Sequence, residues 1–206
     1  MPVSELFVTR FMRDSLTALP DWQELNTELE QACLSIAEDD EAGREWCEQN
    51  GYDGYTSYAS LDDLHTRAPA FARLKTLLEA HAGAYAEELY WNLRGASLVM
   101  DSFWINVLNP LAAHSGHIHP NSVLSGTYYV AIPEGAGALK LEDPRLPFMM
   151  NAPPLRKDAP QSMQRFLYQK PEPGTFMMWE SWLRHEVTPN LGEDLRISLS
   201  FNFSLD

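Results

Sequence analysis

The chain has 206 residues, 45% of them hydrophobic, which is enough to bury a core as one domain, or as one domain with an added layer, and argues against disorder. Fifteen basic against twenty-nine acidic residues give a net charge of −14 with no compensating Lys/Arg cluster, so nucleic acid and anionic membranes are not expected partners. The start "MPVSELFVTRFM" lacks the features of a signal peptide and no apolar run approaches the length of a membrane span, so the expected location is the cytoplasm.

The first half reads as helical with irregular joins. From Asp21, placed after Pro20 as an N-cap, the positions Trp22, Leu25, Leu29, Cys33 and Ile36 follow a helical stripe. A second stripe runs Phe71, Leu74, Leu78, His81, Tyr85, Leu89 and Leu93 and stops near Gly95, with His81 as a core histidine on its apolar face. The acidic and then Gly/Tyr-rich stretch between them reads as a loop with at most a short helix, either covering a site or merely connecting. Cys33 and Cys47 have no CxxC spacing and read as reduced thiols.

After Gly95 the texture becomes β-like: "SLVMDSFWINVL", "VLSGTYYVAI", "GALKLED", "RFLYQK", "GTFMMW" and "LRISLSFNF", separated by turn signals such as "PEGAG" and "NLGED". Short strands with hairpin-type joins point to an antiparallel sandwich or barrel. The five-proline insertion "PRLPFMMNAPPLRKDAPQSMQ" cannot be a central strand and is a candidate lid. In "LRISLSFNF" the odd positions are apolar and the even ones, Arg196, Ser198, Ser200 and Asn202, are polar; "VLSGTYYVAI" splits likewise, with Ser125, Thr127 and Tyr129 on one face. The polar faces either meet water or line a ligand cavity that holds Arg196.

Three of the six histidines fall within "HSGHIH". His117 and His119, two apart on an extended segment, leave the same face and can reach one metal ion, with His185 of "WLRHEV" as a third ligand if its strand is adjacent. They can equally be ordinary histidines of polar loops. His114 is out of phase and fits a supporting role rather than a ligand's.

Taken together, "HIHPNSVLSGTYYV", "DPR" and "WLRHEV…RISLSFN" resemble the 2-oxoglutarate- and Fe(II)-dependent oxygenases, most closely a group that shares these three motifs, over roughly residues 96–206. The resemblance implies a mainly β chain with a helical N-terminal layer: residues 1–95 packed on a double-stranded β-helix (a jelly-roll or cupin-like barrel) of residues 96–206, one structural domain overall. It implies Fe(II) held by His117 and His185 as first and last ligands, with His119, two residues after His117, read as the third. It also implies 2-oxoglutarate anchored by Arg196, with Ser198 adding a hydroxyl and Tyr129, Asn106 and Asn202 as further lining. No catalytic residue beyond the metal ligands is implied. The implied activity is hydroxylation of a small molecule or a peptide or protein side chain, with release of succinate and CO2. In one respect the chain departs from the family: most members carry Asp or Glu where His119 stands, and the nearest carboxylates by motif position, Asp143 and Glu180, lack the spacing. Two rivals stay open: a three-histidine dioxygenase without 2-oxoglutarate, although the cupin run fails at Leu111, Val123 and Leu124, and a non-catalytic metal-binding barrel. A homodimer through an edge strand or an exposed "MWESWL" is a further expectation.

Overall fold

Period-two alternation organises the β half. In β10 (Arg196–Leu205), Ile197, Leu199, Phe201 and Phe203 are buried on one face, while Arg196, Ser198, Ser200 and Asn202 turn to the other. β10 is central, pairing antiparallel with β3 (Leu98–Leu108) on one flank and β5 (Leu124–Ala131) on the other. β8 (Thr175–Glu180) joins β5, and β1 (Phe11–Ser15) and β2 (Gly54–Thr56) close the edges, in the order β1-β8-β5-β10-β3-β2. A second sheet runs β4-β9-β6-β7, from β4 (His114–His117), β9 (His185–Val187), β6 (Leu139–Glu142) and β7 (Phe166–Gln169). This computed structural model describes residues 1–206.

The apolar face of the six-stranded sheet takes the helices. Leu25, Leu29 and Cys33 of α1 (Trp22–Asp39), with Phe71, Leu74, Leu78 and Ala82 of α4 (Pro69–Glu88), share one core with Ile105, Tyr128, Ile197, Leu199 and Phe201. Each fully buried Leu or Phe there contributes roughly 1.5–3 kcal/mol of transfer free energy. The opposite face meets the second sheet: Tyr129, Met177 and Trp179 pack against Leu139 and Leu141, closing one end of the space between the sheets. The other end stays open and polar, and the histidines lie there.

All six β-like runs form strands, and the two helical stripes form α1 and α4. Four details depart from expectation. Asp21 sits at the start of α1 but does not cap it; its carboxylate instead accepts from Arg73 Nη1 and Nη2 of α4 at 2.7 and 2.8 Å. α4 ends at Glu88, because Tyr90 adopts φ +57, a left-handed conformation that stops a helix, and Gly95 at φ +88 serves the turn towards β3. The stretch 40–67 is structured, carrying α2 (Glu41–Gln49), whose first turn is capped by Asp40 accepting from Gly43 N, then β2 and the single turn α3 (Leu64–Arg67). Residues 1–95 are thus not purely helical, since β1 and β2 complete the sheet.

The proline-rich insertion is no lid. It joins β6 to β7 at the edge of the smaller sheet and contributes no residue to the cavity. Short-range bonds close it on itself, including Arg165 Nη2 to the carbonyls of Ala152 and Pro153 and Arg145 to Asp143. Nor is "MWESWL" exposed as a unit: Trp179 is on the inward phase of β8 and buried, leaving only Trp182 at the surface. Cys33 and Cys47 are both buried and free.

Candidate metal centre and its cavity

A cavity of about 700 Å³ opens between the two sheets, and strand register decides what lines it. Opposite Ser198 stands Asn106, opposite Ser200 Trp104 and opposite Asn202 Ser102 across β3; on the other flank, Ser198 faces Tyr129, Ser200 faces Thr127 and Asn202 faces Ser125. Ser200 and Asn202 of β10, with Ser102, Trp104 and Asn106 of β3 and Ser125 and Thr127 of β5, therefore form the cavity wall rather than a water-facing surface.

His117 and His185 are register partners across the β4–β9 ladder, and His119 follows β4 with its backbone N–H donating to Ser181 O. The three side chains form one cluster with potential ligand atoms all within 4.8 Å of one another, and no carboxylate belongs to it. Ring centroids of His117 and His185 are 4.4 Å apart. Two tautomers are fixed by the backbone: His117 Nδ1 donates to Ser115 O at 2.7 Å and His185 Nδ1 to Leu183 O at 2.9 Å, so each leaves Nε2 as a lone pair towards the cluster. Burial, reinforced by the neighbouring His117, pushes His119 down to about 4 and His185 to about 3. Both are neutral imidazoles at neutral pH, the form that binds a metal. Asn202 lies beside His119, its Oδ1 held by Ser125 Oγ at 2.8 Å, which in turn is bonded to Ser181.

Arg196 is a different kind of group. It is 1% exposed and forms no ion pair; its guanidinium donates one hydrogen bond, from Nη1 to Ser198 Oγ at 3.1 Å, and lies 5.4 Å from the Tyr129 ring centroid. Burial alone pulls its pKa below the ordinary arginine value. Its Nε and the Nε1 of Trp179 are the two buried side-chain polar atoms of the whole chain that lack a partner. Trp179 lines the cavity with its indole edge-on to His185 at 4.7 Å. Arg196 does not itself line the cavity, but Tyr52 and His114 do, and both feel its charge. A buried, unpaired cation behind the wall of a cavity that holds a metal-ligand cluster is what an acidic ligand needs, so the donor set fits a dicarboxylate together with a divalent metal.

Of the sequence-derived residues, His117, His119 and His185 converge and Asn106 and Asn202 line the cavity with them, whereas Arg196, Ser198 and Tyr129 lie buried behind that lining. Asn106 has its Oδ1 accepting from Thr56 Oγ1 at 3.1 Å and its Nδ2 donating to Ser200. Asp143 is tied to Arg145, and neither it nor Glu180 lines the cavity. His114 stays outside the cluster and is bonded to Tyr52 Oη at 2.6 Å. His81 is half-buried, against Phe176 and near Asp14. Sequence reading missed Tyr52, Thr56, Trp104 and Trp179 as cavity residues. The signal for Trp104 was present: it shares the even phase of β3 with Asn106.

A family model described as "Putative 2OG-Fe(II) oxygenase" matches residues 102–202, which span the cluster and Arg196. No curated protein matches. Among solved structures, a Pseudomonas putida prolyl-4-hydroxylase superposes with a TM-score of 0.61 at 14% identity, covering 95% of this chain and 92% of its own. The epimerase SnoN from nogalamycin biosynthesis, solved with Fe3+, alpha ketoglutarate and nogalamycin RO, gives 0.63 at 12% identity, covering 95% and 79%. An oxidoreductase of the 2OG-Fe(II) oxygenase family from Burkholderia pseudomallei overlaps only in part, at 17% identity over 53% of this chain and 46% of its own, with a TM-score of 0.40. The near-complete superpositions establish the double-stranded β-helix, and the motif resemblance to the 2OG-Fe(II) oxygenases stands.

Proposed function

Starting from the match of residues 102–202 to the 2OG-Fe(II) oxygenases, we propose that this chain is an Fe(II)- and 2-oxoglutarate-dependent oxygenase of the hydroxylating kind. The observation that carries the reading is Arg196: a fully buried guanidinium without an acidic partner, set in the same interior as a three-histidine cluster. A protein that leaves such a charge unpaired has a ligand to pair with it, because an uncompensated buried ion costs several kcal/mol, of order 3–5.

In this reading His117, His119 and His185 hold the metal through neutral imidazoles. Arg196 receives the distal carboxylate of 2-oxoglutarate on its planar fork, with Ser198 Oγ fixing the guanidinium plane. Trp179 Nε1–H supplies a second donor to the ligand beside His185. When bound, Fe(II) and 2-oxoglutarate supply oxidation of a substrate C–H bond coupled to decarboxylation of the cosubstrate to succinate and CO2. Tyr129, Met177 and Leu139 close the inner end and keep water from it. Hydroxylation is the outcome this reading favours, the similar solved structures including a prolyl-4-hydroxylase as well as an epimerase. The substrate is a small molecule or a peptide side chain, and the site of action is the cytoplasm.

A three-histidine dioxygenase without 2-oxoglutarate draws support from His119 in the acid's place, but gives Arg196 no task. An anaerobic titration separates the two: protein loaded with Fe(II) is titrated with 2-oxoglutarate, and the visible spectrum is recorded beside that of Arg196→Met. A saturable absorption band that is lost in the variant supports the oxygenase; iron uptake with no band at any 2-oxoglutarate concentration refutes it in favour of the rival.

A further inference from the structure

The histidines account for the inner part of the cavity, with Arg196 buried behind its lining, and leave its mouth unexplained. Exposure rises along the lining from Asn106 and Trp179, both buried, to Tyr58, Asp53 and Asp101 at the surface. At the mouth the walls are aromatic: Tyr58 stands edge-on to Trp104 at 5.2 Å, Trp104 stacks over His119 at 6.0 Å, and Trp46 of α2 adds to the lining. Among neutral polar groups such as Asn50, Asn121 and Ser122, the acidic side chains there are Asp53 and Asp101. Asp101 has no cationic partner, and Asp53 receives a single hydrogen bond, from Asn109 Nδ2 at 2.9 Å. Not one of the chain's fifteen lysines and arginines lines the cavity.

We infer that the mouth selects a substrate bearing an ammonium or guanidinium group beside a flat or apolar part, and rejects anionic substrates. The inference rests on the oxygenase reading for the identity of the cavity as a substrate site, and deepens it to a substrate class. Three physical effects act in the same direction. The aromatic faces of Trp104 and Tyr58 attract a cation through their ring quadrupoles and cover its apolar part. Asp53 and Asp101 supply the counter-charge. The net charge of −14 raises the local concentration of cations and lowers that of anions near the opening. An anionic substrate would meet no basic group at the mouth, and the nearby buried cation, Arg196, lies behind the lining and is committed to the cosubstrate.

The test uses three probes of matched shape: phenethylammonium, 2-phenylethanol and 3-phenylpropionate. Binding is followed by calorimetry on protein saturated anaerobically with Fe(II) and 2-oxoglutarate, and again on Arg196→Met without cosubstrate, where no buried cation can attract the anion. The expected order is ammonium over alcohol over carboxylate, with the ammonium at least about fivefold tighter than the alcohol. Asp101→Asn should cut the ammonium preference about threefold while leaving the alcohol unchanged, as for one exposed charge pair. Tyr58→Ala, an exposed position that does not threaten folding, should weaken the ammonium most, since it loses the ring quadrupole as well as the apolar cover that all three probes share. Equal affinities, or a preference for the carboxylate in Arg196→Met, overturn the inference. Because that arm needs no 2-oxoglutarate, a cation preference there survives failure of the oxygenase reading, and an absorption band without a cation preference sinks only the substrate class.

Discussion

Replacing Arg196 by methionine should make the ligand-free protein more stable, not less. The native guanidinium is 1% exposed, has one hydrogen bond to Ser198 and one ring contact with Tyr129, and leaves Nε without a partner. Methionine forfeits a charge-assisted hydrogen bond of about 1.5–3 kcal/mol and a desolvated cation–π contact of about 2 kcal/mol. In exchange it removes the desolvation penalty of a buried ion, which is several kcal/mol, and the unsatisfied Nε, about 1–3 kcal/mol. The balance leans towards stabilisation, by up to about 4 kcal/mol, the direction found when buried ion pairs are replaced by apolar groups of similar volume. For a chain of this length that is an increase in Tm of about 2–4 °C per kcal/mol. Adding 2-oxoglutarate at about 100 times its Kd to the metal-loaded protein should then raise the wild type by about 2.7 kcal/mol and leave the variant unmoved, narrowing or reversing the order. Thermal and urea unfolding with and without ligand measure both quantities. A ligand-free variant destabilised by more than about 2 kcal/mol would refute the reasoning, because the guanidinium would then be a structural strut rather than a waiting partner.

Metal-free protein should lose stability as pH falls from about 6.5 towards 4, because the unfolded chain takes up protons that the buried His114, His119 and His185 refuse. All three have folded pKa values depressed by burial, so their stabilising neutral form is fully present above the unfolded value and is lost below it. For the buried His185 the share is about 2 kcal/mol between pH 6.5 and 5, and His185→Gln should flatten the Tm–pH curve in that window; an unchanged curve counts against burial of a neutral ring. Gly126→Ala should destabilise by about 1–3 kcal/mol, because the added Cβ meets the Phe201 ring at 2.4 Å and the Met177 carbonyl at 2.6 Å, and a backbone atom between two paired strands cannot step aside. Chemical denaturation gives the number, and a neutral result would mean that the sheet is looser there than its register implies. Leu78→Ala on α4 should cost about 2–5 kcal/mol, measurable by the same assay, since Leu78 is fully buried between helix and sheet.

Much of the fold was legible because alternation is a local signal. The odd–even split of β10 separated its core face from its polar face, and the same split in β5 put Ser125, Thr127 and Tyr129 on one side, but whether those polar faces met water or a cavity depended on the second sheet. What stayed hidden depended on partners distant in sequence. β1 and β2 are short edge strands whose pattern cannot be told from a loop until β8 and β3 are in place to pair with them. Asp21 looked like a cap because capping is local, and was claimed instead by Arg73, 52 residues away. The proline-rich insertion was suspected of covering the cavity, but composition says only that such a segment cannot pair, not which rim it leaves from. The covering segment is 46–58, whose contribution rests on Tyr52 and Tyr58 reaching His114 and Trp104.

The histidine in the acid's place changes the charge balance of the whole interior. A cluster with one carboxylate offsets part of a divalent metal's charge; His117, His119 and His185 offset none, and Arg196 adds a further positive charge in the same low-dielectric space. No acidic side chain belongs to the cluster or pairs with Arg196, so the compensating charge has to come from a ligand. A dianion with one carboxylate at the metal and the other at the guanidinium neutralises both at once. Metal and 2-oxoglutarate should consequently bind with marked mutual reinforcement, and by linkage the factor by which 2-oxoglutarate tightens the metal must equal the factor by which the metal tightens 2-oxoglutarate. Restoring a carboxylate with His119→Asp should weaken that reinforcement by raising the affinity for the metal alone. Quenching of the indole of Trp179, 4.7 Å from His185, by Mn(II) in place of iron reads both affinities without turnover. Identical coupling in wild type and His119→Asp would show that the third imidazole does not set the charge of the site.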